Sequence, residues 1–273
     1  MATINCKGKL IDLTTPHVMG ILNCTPDSFY DGGKLKTDSL ILNQVAKMVS
    51  EGATFIDIGG QSSRPNAEFL SADQELQRVA LIVEILLKEN PELLISMDTF
   101  HSEVADACLQ MGASMINDIS AGGLDEKMFE IVAKHRVPYV MMHMNGSPQT
   151  MQQQSEYKDL VKEILFYFSE KIAKARSLGI TDLIIDPGFG FAKTVVQNFE
   201  LLNQLELLHI TDLPILVGVS RKSMIYKTLE TTAQEALNGT TVLNTIALTK
   251  GASILRVHDV KEAVEAVKLV SCL

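Results

Sequence analysis

Eight short apolar runs, at residues 18–22, 55–58, 93–97, 114–119, 137–142, 183–185, 215–219 and 254–257, recur along the chain, with amphipathic helical patterns between most of them. Strands separated by helices run parallel, because parallel neighbours need a long crossover connection. Eight such units in 273 residues predict a (β/α)8 barrel, the TIM-barrel architecture, with an open doubly wound sheet as the alternative. No linker, further repeat or low-complexity segment breaks the rhythm, so residues 1–273 are expected to form one domain. Ahead of the first run, residues 3–12 read as a short N-terminal β-hairpin turning at Lys7-Gly8-Lys9.

The helical segments carry boundary signals. Ser71 with Gln74 three residues on makes a capping-box pattern. Leu76, Val79, Val83, Leu86 and Leu87 then recur on one face, and Asn90-Pro91 ends the helix. Ser102 as cap and Gly112 as stop bracket a shorter helix, and the longest is expected over 156–178, before Gly179.

Charge and cysteine usage narrow the function classes. A net charge of −9 with no basic stretch argues against a nucleic-acid partner. No apolar run reaches the length of a membrane span, and the N-terminus lacks a signal-peptide layout. Cys6, Cys24, Cys108 and Cys272 lie far apart without C-x-x-C spacing, which suggests neither a disulfide framework nor a zinc site. A cytoplasmic protein is the expectation.

Polar residues gather where the apolar runs stop. The first run ends in Asn23 and empties into Cys24-Thr25-Pro26-Asp27-Ser28-Phe29-Tyr30. The second carries Asp57 and then Gln61, Ser62, Ser63 and Arg64; the third ends at Asp98, the fourth at Asn117-Asp118 and the fifth at His143. The sixth ends at Asp186, the seventh runs into Ser220-Arg221-Lys222-Ser223, and the eighth carries Arg256, His258 and Asp259. One buried Asp or Asn usually just satisfies loop donors. Eight polar ends converging on the barrel rim where active sites lie are costly beside an apolar core unless they serve a ligand.

Residues 188–194 imitate a phosphate loop, but Pro187 and Ala192 stand where its glycines belong. His17, His101, His135 and His209 lack ligand-like spacing and read as packing or surface residues, while His143 and His258 stay open. Lys222, Arg256, His258, Ser63 and Arg64 read as an anion or polyphosphate clamp, with Arg256 and His258 two apart and so on one side of a strand. Asp98, Asn117 and Asp186 are acceptors and an amide able to read the N–H edge of a flat heterocycle. Asn23, with Asp27 and Asp31 nearby in sequence, could hold Mg2+, which takes few protein oxygens and completes its shell with water and phosphates.

The stretches GILNCTPDSFYDGG, DIGGQSSRPNAE, SMDT, NDIS, MMHMNGSPQTMQ, DPGFGFAKT, GVSRKSM and RVHDV resemble, in order, the signatures of the dihydropteroate synthase family over about residues 20–260. The resemblance implies a barrel that joins p-aminobenzoate to 6-hydroxymethyl-7,8-dihydropterin pyrophosphate with Mg2+, in folate synthesis. It places Asp98, Asn117, Asp186 and Lys222 on the pterin, with Met141 and Phe191 near its ring. Asn23 becomes the metal ligand, and Ser63, Arg256 and His258 hold the pyrophosphate. Phe29, Ser63, Arg64, Pro65, Lys222 and Ser223 form the p-aminobenzoate pocket, and Lys222, Asp98, Asp186 and Arg64 carry catalysis. It further implies a sulfonamide target and a homodimer, for which 263–270 is either an interface or a core-facing helix. Gln61, Ser63, Asn66 and Ala192 depart from the usual Glu, Thr, Gly and Gly. Two rivals share the scaffold: a methyltetrahydrofolate–corrinoid methyltransferase, with no use for a pyrophosphate clamp, and a non-catalytic pterin-binding protein, which need not keep Asn23 or Asp98.

Overall fold

A computed structural model describes residues 3–24, 34–61, 70–146 and 154–273, with side chains of the second segment from residue 38. Strands β1 (Thr3–Cys6) and β2 (Lys9–Asp12) form the expected hairpin, with Cys6 opposite Lys9 and Lys7-Gly8 turning at positive φ. Eight parallel strands follow: β3 (His17–Asn23), β4 (Phe55–Gly59), β5 (Ile95–Asp98), β6 (Met115–Asp118), β7 (Tyr139–Met142), β8 (Leu183–Asp186), β9 (Leu216–Val217) and β10 (Ile254–Val257). They hydrogen-bond in the order β8-β7-β6-β5-β4-β3-β10-β9, and a parallel bridge from Ile185 to Ile215 brings the two edges together. The result is a nearly closed TIM barrel, as the strand count predicts.

Among the described residues the α-helices are α1 (Lys34–Ser50), α2 (Ala72–Glu89), α3 (Ser102–Met111), α4 (Met128–His135), α5 (Leu160–Ser177), α6 (Val195–Asn203), α7 (Ser223–Thr228), α8 (Leu237–Thr249) and α9 (Val260–Val270). Ser71 caps α2 through the reciprocal bonds with Gln74 that the sequence predicts, and Asn90 ends it. Ser102, expected as a cap, is instead the first residue of α3. Its N–H is taken by Asp125 Oδ2 at 2.8 Å, a partner too distant in sequence for a local pattern to reveal. The helix expected over 156–178 begins at Leu160, because Asp159 accepts from the Lys162 N–H and Glu163 takes the Lys158 and Asp159 amides.

Strand alternation sorts the apolar residues into two cores. Val18, Ile56, Ile58, Ile116, Met141 and Leu255 pack outward with the helices. Met19, Phe55, Met115, Val140, Ile184, Leu216 and Ile254 form a second cluster with Ile4, Cys6 and Ile11 of the hairpin. The hairpin thus packs on the apolar inner layer. Gly20 permits close approach on the outer side: a Cβ there would lie 3.0 Å from Met48 of α1 and 3.1 Å from Val260 of α9. Helix α9 buries Val260, Ala263 and Ala266. Among the described residues no helix is long and apolar enough to cross a membrane.

Candidate active site at the barrel mouth

Above the apolar layer the barrel interior turns polar. Arg256 of β10 donates from Nε to Asp57 Oδ2 and from the terminal nitrogen Nη2 to Asp98 Oδ2, each at 2.6 Å. Asn117 Nδ2 of β6 reaches the same Asp57 oxygen at 3.2 Å. Strands β10, β4 and β6 are not neighbours, so these bonds cross the barrel interior. The Asp57 side chain is 0 % exposed, against 19 % for Arg256 and 15 % for Asp98. The charged centre therefore lies below the open edge of the site.

Alternation also separates residues that the sequence places together. Asn117 enters this network, whereas Asp118 is held elsewhere, accepting from Ser120 N and Oγ, Gly122 N and Tyr139 Oη at 2.7–2.8 Å. Asp118 is a buried loop organiser. Met141, expected near a bound ring, packs in the strand–helix core instead. The next residue, Met142, joins Phe100, Ile119, Met144, Ala192 and Phe191 in a separate apolar cluster. One position along a strand reverses the face, so it is Met142 and not Met141 that shares a side with Phe191.

After β8, Asp186 accepts from the Gly188 N–H at 2.8 Å. Gly188 sits at φ +73, and a Cβ there would overlap the His143 carbonyl oxygen. Lys222, preceding α7, donates to the Phe189 carbonyl and places its ammonium 4.8 Å from the Phe191 ring centroid. Ser223 begins α7. The phosphate-loop imitation is resolved by α6, whose N-terminal amide is taken by the Thr194–Gln197 capping box. Lys193 points back into its own loop, toward Gly188 O, Phe191 O and His143 Nδ1.

His258 lies just past β10 and pairs through Nδ1 with Ser220 Oγ at 2.9 Å. The strand ends at Val257, so the two-residue spacing from Arg256 does not carry a shared partner. Arg221 holds Asp259 with two 2.8 Å bonds and joins the loops after β9 and β10. Asn23 stands exposed at the end of β3, in register with Gly59. Phe29, Ser63, Arg64 and Pro65, with Asp27 and Asp31, lie outside the described residues. The other four histidines have the structural partners expected of packing or surface residues: Thr54 and the Asp12 carbonyl for His17, Leu70 O for His101, Asp106 for His135 and Lys250 O for His209.

The electrostatics follow from crowding charge in a desolvated mouth. Desolvation raises Asp98 against the pull of Arg256, and Asp57, Asp118 and Asp186 add to the rise. Asp186 is also raised by burial, opposed by Lys222 and by the Gly188 amide. Burial lowers Lys222 to about 8, while Asp186 pulls it back. Such a set can bind a ligand carrying both N–H donors and anionic oxygens. Sequence reasoning left Asp57 and Lys193 without roles; a lone carboxylate inside the apolar run Phe55-Ile56-Asp57-Ile58 was the available signal for the former.

Comparison with known proteins agrees with this geometry. The pterin binding enzyme family matches residues 19–258. Dihydropteroate synthase of Escherichia coli (strain K12) is 45% identical over 267 residues, covering 97% of this chain and 94% of that protein. The solved dihydropteroate synthase of Yersinia pestis, a complex with a sulfonamide drug, is 42% identical with a TM-score of 0.92, covering 99% of this chain and 98% of that one. That of Xanthomonas albilineans with 4-aminobenzoic acid is 38% identical with a TM-score of 0.91, covering 99% and 97%. With its barrel, its polar mouth and relatives matching along nearly its whole length, this chain belongs to the pterin-binding enzymes as a member of the dihydropteroate synthase family.

Proposed function

We propose that the site condenses p-aminobenzoate with 6-hydroxymethyl-7,8-dihydropterin pyrophosphate, releasing 7,8-dihydropteroate and pyrophosphate. The observation that carries this reading is the meeting of Asp98, Asn117, Asp186, Lys222 and Arg256 at one barrel mouth. Asp98 and Asp186 accept from the pterin's ring and amino N–H groups, Asn117 adds an amide, and Lys222 donates to a ring acceptor. Phe191 and the apolar cluster around Met142 pack against the ring. Arg256 and His258, with Ser63, hold the pyrophosphate. Phe29, Ser63, Arg64, Pro65, Lys222 and Ser223 form the p-aminobenzoate pocket, and Arg64 assists catalysis.

The reaction is a dissociative substitution. The bond from the exocyclic methylene to the pyrophosphate oxygen breaks, and its electron pair leaves with pyrophosphate. The neutral arylamine nitrogen then forms the new C–N bond and loses one proton. An arylamine needs no strong base, so the protein's work is to stabilise separating charge: carboxylates near the electron-poor pterin, cations near the leaving group. Asn23 fits Mg2+, offering one exposed amide oxygen at the rim, in keeping with an ion that takes few protein ligands beside substrate phosphates. Bound there, Mg2+ supplies further neutralisation of the departing pyrophosphate.

The same reading makes sulfonamides competitors of p-aminobenzoate. A homodimer is proposed on the exposed apolar side chains Val242 and Ile246 of α8 and Leu269 of α9. The test is turnover of the two substrates with Mg2+, wild type beside Lys222→Ala. Product from wild type and a loss of roughly 10²–10³-fold in kcat/KM for the folded variant is the expected result. Folded wild type that makes no dihydropteroate overturns the reading.

A further inference from the structure

We propose that Lys193 is a positioning residue for the pterin site: by holding the Gly188 and Phe191 carbonyls, it sets the place of the Phe191 ring beneath the Lys222 ammonium. The inference rests on the assignment of Phe191 and Lys222 to the pterin pocket. Lys193 Nζ lies 3.1 Å from Gly188 O, 3.1 Å from Phe191 O and 3.0 Å from His143 Nδ1. For a protonated lysine to donate there, the facing His143 nitrogen must carry a lone pair, which fits the neutral ring that burial enforces by pushing His143 down to about 2.

The loop needs such a staple because its backbone alternates through uncommon conformations. Gly188, Gly190 and Ala192 have φ of +73, +82 and +47. For Ala192, which carries a Cβ, this left-handed conformation is strained. The turns aim successive carbonyls at different donors. Phe189 O goes to Lys222 and Ala192 O to Tyr157 Oη at 2.9 Å, while Asn198 Oδ1 takes the Gly190 N–H at 2.6 Å. Gly188 O and Phe191 O go to Lys193, whose ammonium therefore spans the part of the loop that ends in the aromatic ring.

A buried lysine facing three uncharged acceptors is an expensive way to fold a loop, since burial lowers it to about 7 against the pull of Asp186. That cost is understandable where the loop's shape is what binds the substrate. Lys222 has a Cβ-to-Nζ stem packed over Gly190, where an added Cβ would lie 3.2 Å from its Cδ. Movement of the 188–191 backbone would therefore displace both partners of the Lys222–Phe191 contact.

The decisive experiment measures binding of dihydropterin pyrophosphate with Mg2+ by calorimetry, alongside steady-state kinetics, for Lys193→Met and Lys222→Ala. Lys193→Met keeps the stem and removes the donors; Kd and KM for the pterin substrate should rise roughly tenfold or more. Its kcat at saturating substrates should stay within about threefold of wild type, the split expected of a residue that places a binding surface. Lys193→Gln, with a shorter amide donor, should fall between the two, and it decides by the same readout if Lys193→Met does not fold. A folded Lys193 variant with wild-type Kd and KM overturns the proposal while a weakened Lys222→Ala leaves the pocket assignment standing. Wild-type pterin binding by folded Lys222→Ala would instead remove the pocket assignment, and the proposal with it.

Discussion

Arg256 Nε lies 2.6 Å from Asp57 Oδ2, although the two residues are 199 apart in sequence and sit on strands that are not neighbours. The pair spans the barrel interior, and its guanidinium also reaches Asp98. A cation expected to hold a pyrophosphate is thus itself anchored by two carboxylates. This explains how a flexible arginine can be held ready at the mouth: its planar fork is oriented before a ligand arrives.

Breaking this pair on one side leaves a buried charge uncompensated. Arg256→Met should destabilise the fold by about 3–5 kcal/mol. Adding Asp57→Asn should recover part of that loss, because the more deeply buried of the two carboxylates that Arg256 holds is then neutral and Asp98 alone is left without its partner. Urea unfolding of the two single variants and the double variant measures the coupling. Strict additivity would mean that the pair is not a structural unit.

Asp118 and Tyr139 offer the opposite case, stability without participation in the site. Tyr139 Oη donates to Asp118 Oδ2 at 2.7 Å in a fully buried setting. Tyr139→Phe should cost about 1.5–3 kcal/mol, the range for a hydrogen bond to a charged group. KM for both substrates should remain at the wild-type value. Thermal melts and steady-state kinetics on one preparation check both halves, and a changed KM would place Asp118 closer to the chemistry than its bonds indicate.

Glu75 makes stability depend on pH. Its Oε2 accepts from Thr99 Oγ1 at 3.0 Å, Oε1 is buried with no partner among the described residues, and His101 Nε2 lies 4.0 Å away. Burial raises its carboxyl from 4.5 to about 7. The folded state therefore holds this proton more tightly than the unfolded chain. The resulting stabilisation is full below about pH 4.5 and is lost as pH rises through 7, up to about 3 kcal/mol in all. Glu75→Gln should flatten this part of the stability profile, read from denaturant midpoints between pH 4.5 and 8. An unchanged slope would show that other groups carry it.

Local chemistry wrote some of this protein directly into its sequence. The Ser71–Gln74 capping box, the Lys7-Gly8 turn and the run Ile254–Val257 could be read because each depends on residues a few positions apart. The eightfold strand–helix rhythm dictated the barrel, since parallel strands joined by helices have few ways to bury both faces. The polar carboxyl ends then had to converge, and Asp98, Asn117, Asp186, Lys222 and Arg256 were legible as a set for that reason.

Tertiary structure alone decided which of these residues touch. Asp125 serves the start of α3, and Asp57 rather than a ligand alone holds Arg256, because both bonds join segments far apart in sequence. Met141 and Met142 are chemically identical, yet strand alternation in the closed barrel sends the first to the helices and the second toward Phe191. Sequence determines the period of a strand; its absolute facing is set only when the sheet closes and one side becomes the interior.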